Sequence, residues 1–217
     1  MAAIATGNLE ELKELEVSVR VERILRAHYP AQTPVAAEVR ATAETMAAHA
    51  LEIAVPVAWL RRLAVRGIDG SRVELEGGAR VTSAALASSL RECHAVQLFV
   101  VTLGPRLDER VSELFEAMDG LEGLFLDTAG WIAVQSALGA VRRRLAARGR
   151  TEGYGLTRRT GPGYLDWSID EQPILVNALA AAEALPGIEV LDSGAVLPEK
   201  TLTGLFGLIP LDSPPRS

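Results

Sequence analysis

The sequence predicts an α+β protein, with a mainly antiparallel twisted sheet packed against helices. The run VELEGGARVT consists of two short alternating segments around a Gly77-Gly78 turn, which is typical of a hairpin. The run AVQLFVVTLG is dense in β-branched and aromatic residues and predicts a buried strand. Hairpins and long returns without crossover helices favour antiparallel pairing. We therefore expect the hairpin, AVQLFVVTLG, IEVLD and TLTGLFGL to supply most of the sheet.

The composition is that of an ordinary globular chain. Its 217 residues are 48% hydrophobic, and a chain of this length buries roughly 70% of the surface that its unfolded form exposes. The single cysteine, Cys93, excludes an internal disulfide and an all-cysteine metal site. The histidines His28, His49 and His94 are far apart and show no metal-ligand spacing. We therefore expect no metal site.

Charge and patterning limit the partners of the chain. A net charge of -6 and a pI near 5.2 argue against nucleic-acid binding as its main role. The segment MAAIATGNLEELKELE lacks the basic start and the apolar run of a signal peptide. No stretch approaches 18 apolar residues free of charge, so no membrane span is expected. These features predict a cytoplasmic protein with neither a nucleic acid nor a membrane as partner.

The first third of the chain predicts two helices followed by a strand. The segment VERILRAHYP predicts a short helix that ends before Pro30. In the second helix Thr33 can cap the start, Pro34 suits the first turn and Pro56 ends it. The apolar face predicted for the second helix consists of Val35, Val39, Met46 and Ala50. The segment WLRRLAV then predicts a strand that leads into the hairpin.

Three helices are predicted in the middle of the chain. The first, in SAALASSLREC, can be capped by Thr82 or Ser83, and the second lies in RLDERVSELFEAM. A long third helix is predicted from about Leu124 to about Ala147. Its apolar face is marked by Leu124, Trp131, Val134, Leu138, Val141 and Leu145. An arginine cluster at its end suits a helix C-terminus, an interpretation that we favour over a binding patch.

The last third predicts a helix, two strands and a tail. Ser168 and Glu171 form a capping-box pattern before a helix through ILVNALAAAEAL, which stops at Pro186. There is no internal repeat or low-complexity linker, so residues 1–217 are expected to form one domain. We expect residues 20–210 to be its ordered core and residues 211–217 to be a flexible tail.

One glycine-rich loop, in RRTGPGYLDWSIDEQ, carries the main functional signal. Gly161 and Gly163 flank Pro162 in a turn whose backbone can approach a ligand closely. Arg159 offers a fork of donors suited to a carboxylate, and Tyr164 offers a flat ring and a hydroxyl. Such a loop can bind a small anionic molecule that contains a ring. A purely structural turn with the same residues is the alternative.

The motif Arg-x-x-Pro-Gly-Tyr in this loop resembles the S-adenosylmethionine-binding loop of the activation domain of cobalamin-dependent methionine synthase. The motif consists here of Arg159, Pro162, Gly163 and Tyr164. A second family signature, a proline followed after two residues by Ser/Thr-x-Ser/Thr-Gly, is matched in LPEKTLTG. Its residues are Pro198, Thr201, Thr203 and Gly204. The runs FVVTLGP and DTAGWIAVQ are similar to stand-alone relatives in order and spacing, so that the resemblance covers roughly residues 21–210.

The resemblance implies an accessory role without a catalytic residue. In that family the domain binds S-adenosylmethionine and docks onto the cobalamin domain when the cofactor has been oxidised. An external donor then reduces the cobalt, and S-adenosylmethionine supplies the methyl group. The implied function is a reactivation subunit of methionine synthase or a related corrinoid methyltransferase, which meets cobalamin only through its partner.

Departures from the family pattern imply that S-adenosylmethionine binds weakly. The acidic residue that the family usually carries on the long helix falls near Gln135, and a position that is usually small is Trp131. The tyrosines that follow the second signature have no counterpart in LIPLDSPP. We expect the loop to border the main cleft and to face the long helix. The implied ligand-binding residues are Arg159, Pro162, Gly163, Tyr164, Gln135 and Trp131.

Two other functions stay open. The first alternative is a docking module that binds a corrinoid protein but has itself lost S-adenosylmethionine binding. The second is an independent methyltransferase. For the methyltransferase Asp166 is the only nearby base, although an aspartate at this position is more often a cap. Cys93 and His94 are expected to be buried and Trp167 to anchor the core beside the loop. Lys200 is expected to be a solvated charge in a turn.

Overall fold

The computed structural model describes residues 7–181 and 184–211, in six helices and nine strands. The helices are α1 (Val21–His28), α2 (Ala37–Ile53), α3 (Ala84–Ser89), α4 (Arg106–Glu116), α5 (Gly120–Glu152) and α6 (Gln172–Ala180). The first five strands are β1 (Glu10–Leu12), β2 (Val57–Asp69), β3 (Arg72–Leu75), β4 (Arg80–Thr82) and β5 (Ala95–Thr102). The last four are β6 (Tyr154–Leu156), β7 (Glu189–Val190), β8 (Val196–Leu197) and β9 (Thr201–Pro210). Most of the predicted tail, residues 212–217, lies outside the described residues.

Seven of these strands form one antiparallel sheet, which confirms the predicted fold class. Its order is β4-β3-β2-β5-β9-β6, and β1 pairs with β2. The prediction that IEVLD joins this sheet is wrong, because β7 pairs only with β8 in a separate two-stranded sheet. The segment is bounded by tight turns at Gly187 and Gly194, both with positive φ. It therefore folds back onto the strand that follows it.

The alternation of side chains along the strands divides the core into two layers. On one face Phe99, Leu202 and Phe206 pack with α1, α2, α4 and α5. On the other face Leu98 and Leu205 pack with α3 and α6. Each helix layer therefore covers one face of the sheet, and β5 and β9 contribute side chains to both.

Helix α5 packs directly against strands β5, β6 and β9 of the sheet. Its length and composition would allow it to cross a membrane, but the core helix of a globular fold meets the same criterion. Thirteen of its residues are buried, and small ones such as Ala129, Gly130 and Ala133 let it lie close to its neighbours. Packing within the fold thus accounts for its apolar character.

Several helix boundaries differ from the predicted ones. Thr33 does not cap α2, which begins at Ala37 and buries Ala43, Ala47 and Ala50. Val39 and Met46 are only partly buried against that core, because the small alanines allow the closer contact. Helix α5 continues to Glu152 and ends at Gly153, whose φ of 77° is the left-handed conformation that terminates helices.

Candidate functional site

The loop predicted to bind a ligand is fixed along the edge of β9. The last pair of β6 joins Leu156 to Leu208, and the next pair along the chain joins Thr160 to Leu205. Between these two pairs the segment after β6 has one residue more than β9. Both backbone hydrogen bonds of that bridge form, at 3.2 and 2.9 Å. A Cβ atom at Gly161 would lie 3.1 Å from the Thr203 carbonyl oxygen, so a side chain here would require the loop and β9 to move apart by a few tenths of an ångström. The start of the loop is therefore part of the sheet.

The end of the loop is tied to the core by Trp167. The Gly163 amide, in a residue with φ of 83°, donates to the Trp167 carbonyl at 2.8 Å. Trp167 is buried, as predicted, and its indole Nε1 donates to Glu171 at 2.8 Å. Glu171 also accepts from the Thr82 amide, so it does not complete the predicted capping box with Ser168. The turn is consequently held at both ends.

Arg159 and Tyr164 come together within this loop. Arg159 Nη2 donates to the Tyr164 hydroxyl at 2.7 Å, and the guanidinium carbon lies 5.0 Å from the ring centroid. Arg159 Nη1 is buried without a hydrogen-bond partner among the described residues. Arg159 thus has an unused donor, and whether it faces the long helix stays a prediction.

The other two predicted residues lie one turn apart on α5. Trp131 is 43% exposed, and Gln135 is half-buried. Lys200 Nζ lies 5.5 Å from the centroid of the Trp131 ring. Lys200 directly precedes β9, whereas the loop meets that strand three to five residues later, roughly 10–16 Å along it. Both parts of the predicted site therefore meet β9, and their joint use by one ligand stays a prediction.

Lys200 is not the solvated charge that the sequence suggested, because its side chain is 0% exposed. Its ammonium group lies 2.7 Å from Asp127, 3.5 Å from Asp108 and 3.4 Å from Glu199. Burial by itself would lower the pKa of Lys200, but the hydrogen bond and charge of Asp127, together with the other two carboxylates, raise it. The amine therefore stays charged inside the fold.

The surroundings of Lys200 are closely packed. A Cβ atom at Gly130 would lie 3.0 Å from the Lys200 Cε, so α5 approaches the buried stem with no side chain between. Asp108 accepts a hydrogen bond from the Glu199 amide at 2.6 Å. Burial raises the pKa of Asp108, against the lowering effects of that hydrogen bond and of Lys200. One cation thus joins α4, α5 and the start of β9.

Asp166 acts as a cap, the role that the sequence favoured. Its carboxylate accepts hydrogen bonds from the Ser83 hydroxyl at 2.6 Å and from the Ala84 amide at 2.7 Å, at the start of α3. The hydrogen bond from Ser83 lowers the pKa of Asp166. A carboxylate with its lone pairs engaged and its pKa lowered is a poor general base. This geometry weakens the hypothesis of an independent methyltransferase.

Cys93 and His94 differ in burial. Cys93 is buried as expected, but His94, which directly precedes β5, is exposed, so the expectation that His94 is buried is wrong. No cluster of three histidine, cysteine or acidic side chains in the described part of the chain has a geometry that could hold a metal ion.

A cavity of about 730 Å³ opens on the α6 face of the sheet, beside the β3–β4 hairpin. Its wall includes Arg61, Leu63, Gly77, Gly78 and Asn177. The loop from Arg159 to Tyr164 does not line this cavity, and the expectation that the loop borders a ligand-binding cleft stays a prediction.

Comparison with known proteins supports the fold. No family model matches the chain, and no curated protein is similar to it in sequence. Among solved structures, a crystal structure of the MetH reactivation domain bound to AdoHcy is similar, with a TM-score of 0.63 and 12% identity. The match covers 97% of this chain and 81% of that chain. The chain therefore has the fold of a methionine synthase reactivation domain, which agrees with the sequence resemblance at the level of architecture.

Proposed function

We propose that this protein is a reactivation subunit of cobalamin-dependent methionine synthase or of a related corrinoid methyltransferase. It presents S-adenosylmethionine to an oxidised corrinoid partner in the cytoplasm. The observation that carries the proposal is the Arg159–Tyr164 loop, which is fixed on β9 with an unused buried donor at Arg159 Nη1. The similar MetH domain was crystallised with AdoHcy, the demethylated form of the same ligand.

The residues of the loop suit the parts of S-adenosylmethionine. Arg159 Nη1 can donate to the carboxylate of its amino-acid moiety. The ring of Tyr164 is half exposed and offers a face to the adenine. The backbone at Pro162 and Gly163 allows close approach. When bound, S-adenosylmethionine supplies the methyl group; the chain itself binds and orients this ligand.

Charge explains why this binding should be weak. The ligand carries a sulfonium and an ammonium group, and both need acceptors. Gln135 offers a neutral amide oxygen where the family has an acid, and the Trp131 ring is already occupied on one side by Lys200. A carboxylate at position 135 would attract the cationic groups. If it contributes about 1.4 kcal/mol, Gln135→Glu binds roughly tenfold more tightly.

Isothermal titration calorimetry with S-adenosylmethionine tests the proposal. We expect weak binding to the native chain, weaker binding to Arg159→Ala and tighter binding to Gln135→Glu. Trp131→Ser should widen the site and also strengthen binding. Arg158→Ala is the matched control, since Arg158 is the exposed neighbour of Arg159 and should leave affinity unchanged. Equal binding by the native chain and Arg159→Ala would show that the proposed site is wrong.

A docking module without S-adenosylmethionine binding is the second candidate. It is favoured by the internal pairing of the site residues, since Arg159 already bonds Tyr164 and Trp131 already covers Lys200. In that case neither the native chain nor Gln135→Glu binds S-adenosylmethionine. The chain should still bind a purified cobalamin-bearing methyltransferase domain, with an affinity that S-adenosylmethionine does not change.

A further inference from the structure

Arg61 occupies a position in β2 that the sheet pattern reserves for an apolar residue. It pairs with Leu98 of β5, and its face-sharing neighbours Trp59 and Leu63 belong to the apolar core beneath α6. A charged side chain at such a position is costly unless its donors are satisfied. A departure from the local pattern of this kind is a common sign of a functional site.

The guanidinium of Arg61 is only partly satisfied. Its Nη1 donates to the Ala178 carbonyl near the end of α6 in a long hydrogen bond of 3.3 Å. Its Nε is buried and has no hydrogen-bond partner among the described residues. Arginine carries five N–H donors in a planar fork, so this head group retains donating capacity.

Arg61 lines the cavity of about 730 Å³ on the α6 face, a volume within the range of small-molecule sites. Asn8, Asn177 and Glu76 line the same space, and Leu63 and Ile174 supply an apolar wall. The Glu76 carboxylate accepts a hydrogen bond from the Ala64 amide and forms an ion pair with Arg66. A concave site with an apolar wall and a few convergent polar groups is a usual form of a small-ligand site.

The hairpin turn leaves room at the rim of this cavity. Gly77 and Gly78 have φ values of 81° and 83°, and a Cβ atom on either would meet nothing within 4 Å. These glycines are needed for the shape of the turn, and the absence of side chains there keeps the entrance wide. Both residues line the cavity.

We infer that this cavity is a second binding site, for a small molecule that bears a carboxylate, which Arg61 recognises. A carboxylate presents two oxygens to the guanidinium fork, and the asparagine amides can bond further polar groups of the ligand. Leu63 and Ile174 suit a short apolar portion. The site is built from β2, the β3–β4 hairpin and α6, so it does not rest on the function proposed for the Arg159 loop.

Nuclear magnetic resonance titration with acetate tests this inference. The Arg61 Nε–H resonance should shift on addition of millimolar acetate and should not respond to equal methylammonium at constant ionic strength. Arg61→Gln should weaken the acetate response of the other cavity resonances, such as the side-chain amide of Asn177, at least tenfold. Arg72→Gln, a change of an exposed arginine of β3 that does not line the cavity, and Arg159→Ala should retain it.

Three results would overturn the inference. The first is an Arg61 resonance that acetate leaves unmoved while the fold is intact. The second is a response to inorganic phosphate alone, which would exclude the carboxylate class. The third is an acetate response of other cavity resonances that persists in Arg61→Gln, which would leave Arg61 as a helix cap on Ala178 only. Thermal unfolding of Arg61→Gln checks that the variant is folded.

Discussion

Replacing Lys200 with methionine removes the one charge that joins α4, α5 and β9. Methionine retains most of the volume of the stem, so the packing against Gly130 is largely kept. What changes is the environment of Asp127, which loses a 2.7 Å ion pair. Asp108 and Glu199 lose their longer contacts at the same time.

The size of the loss follows from the burial of the partners. Removing one member of a fully buried ion pair costs about 3–5 kcal/mol, because the other charge is left uncompensated. Here Lys200 is 0% exposed but Asp127 is 35% exposed, and water can partly screen its carboxylate. The lower end, about 3 kcal/mol, is therefore expected. In a domain of this size that corresponds to a fall in Tm of about 6–12 °C.

Urea unfolding followed by tryptophan fluorescence measures this effect, since Trp131 lies against Lys200. Lys13→Met is the matched control, because Lys13 is the other lysine of the chain and is 68% exposed. It should change the free energy of unfolding by less than about 0.5 kcal/mol. Lys200→Met/Asp127→Asn should be less destabilised than the sum of its single variants. Equal losses for Lys200→Met and Lys13→Met, or strict additivity of the double variant, would refute the reasoning.

Two further outcomes can be measured by the same unfolding assay. The hydrogen bond from Arg148 lowers the pKa of Glu10, so this pair stabilises the fold above the ordinary carboxyl pKa of about 4.3 and loses its effect as pH falls through the lowered value. The stability difference between the native chain and Glu10→Gln should therefore shrink from pH 7 to pH 3, and a constant difference would contradict this. Gly149→Ala would place a Cβ atom 2.5 Å from the Tyr154 carbonyl oxygen and should destabilise the fold by about 1–3 kcal/mol. Gly139→Ala, whose Cβ would meet only the end of a side chain at 3.6 Å, should be neutral or stabilising.

The parts of the fold that the sequence predicted are those with strong local signals. The two glycines at positions 77 and 78 favour a tight turn, which brings β3 and β4 together as a hairpin. The β-branched and aromatic residues of β5 favour a strand by their own conformational preference. The segment IEVLD also contains β-branched residues, but its pairing depends on the turns at either side, which limit it to a two-residue ladder. Strand propensity alone does not select a partner, so the sequence could not exclude IEVLD from the main sheet.

The same distinction applies to the site. Arg159 and Tyr164 are five residues apart, and the turn between them brings them together, so the local sequence was informative. The burial of Lys200 depends on Asp108 and Asp127, which are distant in the chain and meet it only through the packing of α4 and α5. The unusual position of Arg61 could be seen in the sequence, because this arginine stands between Trp59 and Leu63 on one face of β2.

The enclosure of Lys200 also has a practical consequence for work on this protein. Of its two lysine side chains, only that of Lys13 is accessible to a reagent in solution. An amine-reactive dye or biotin ester applied to the folded chain should therefore modify Lys13 and spare Lys200. The product would carry its side-chain label at one known position just after β1, so that molecules immobilised through that label would present the same face to the solution.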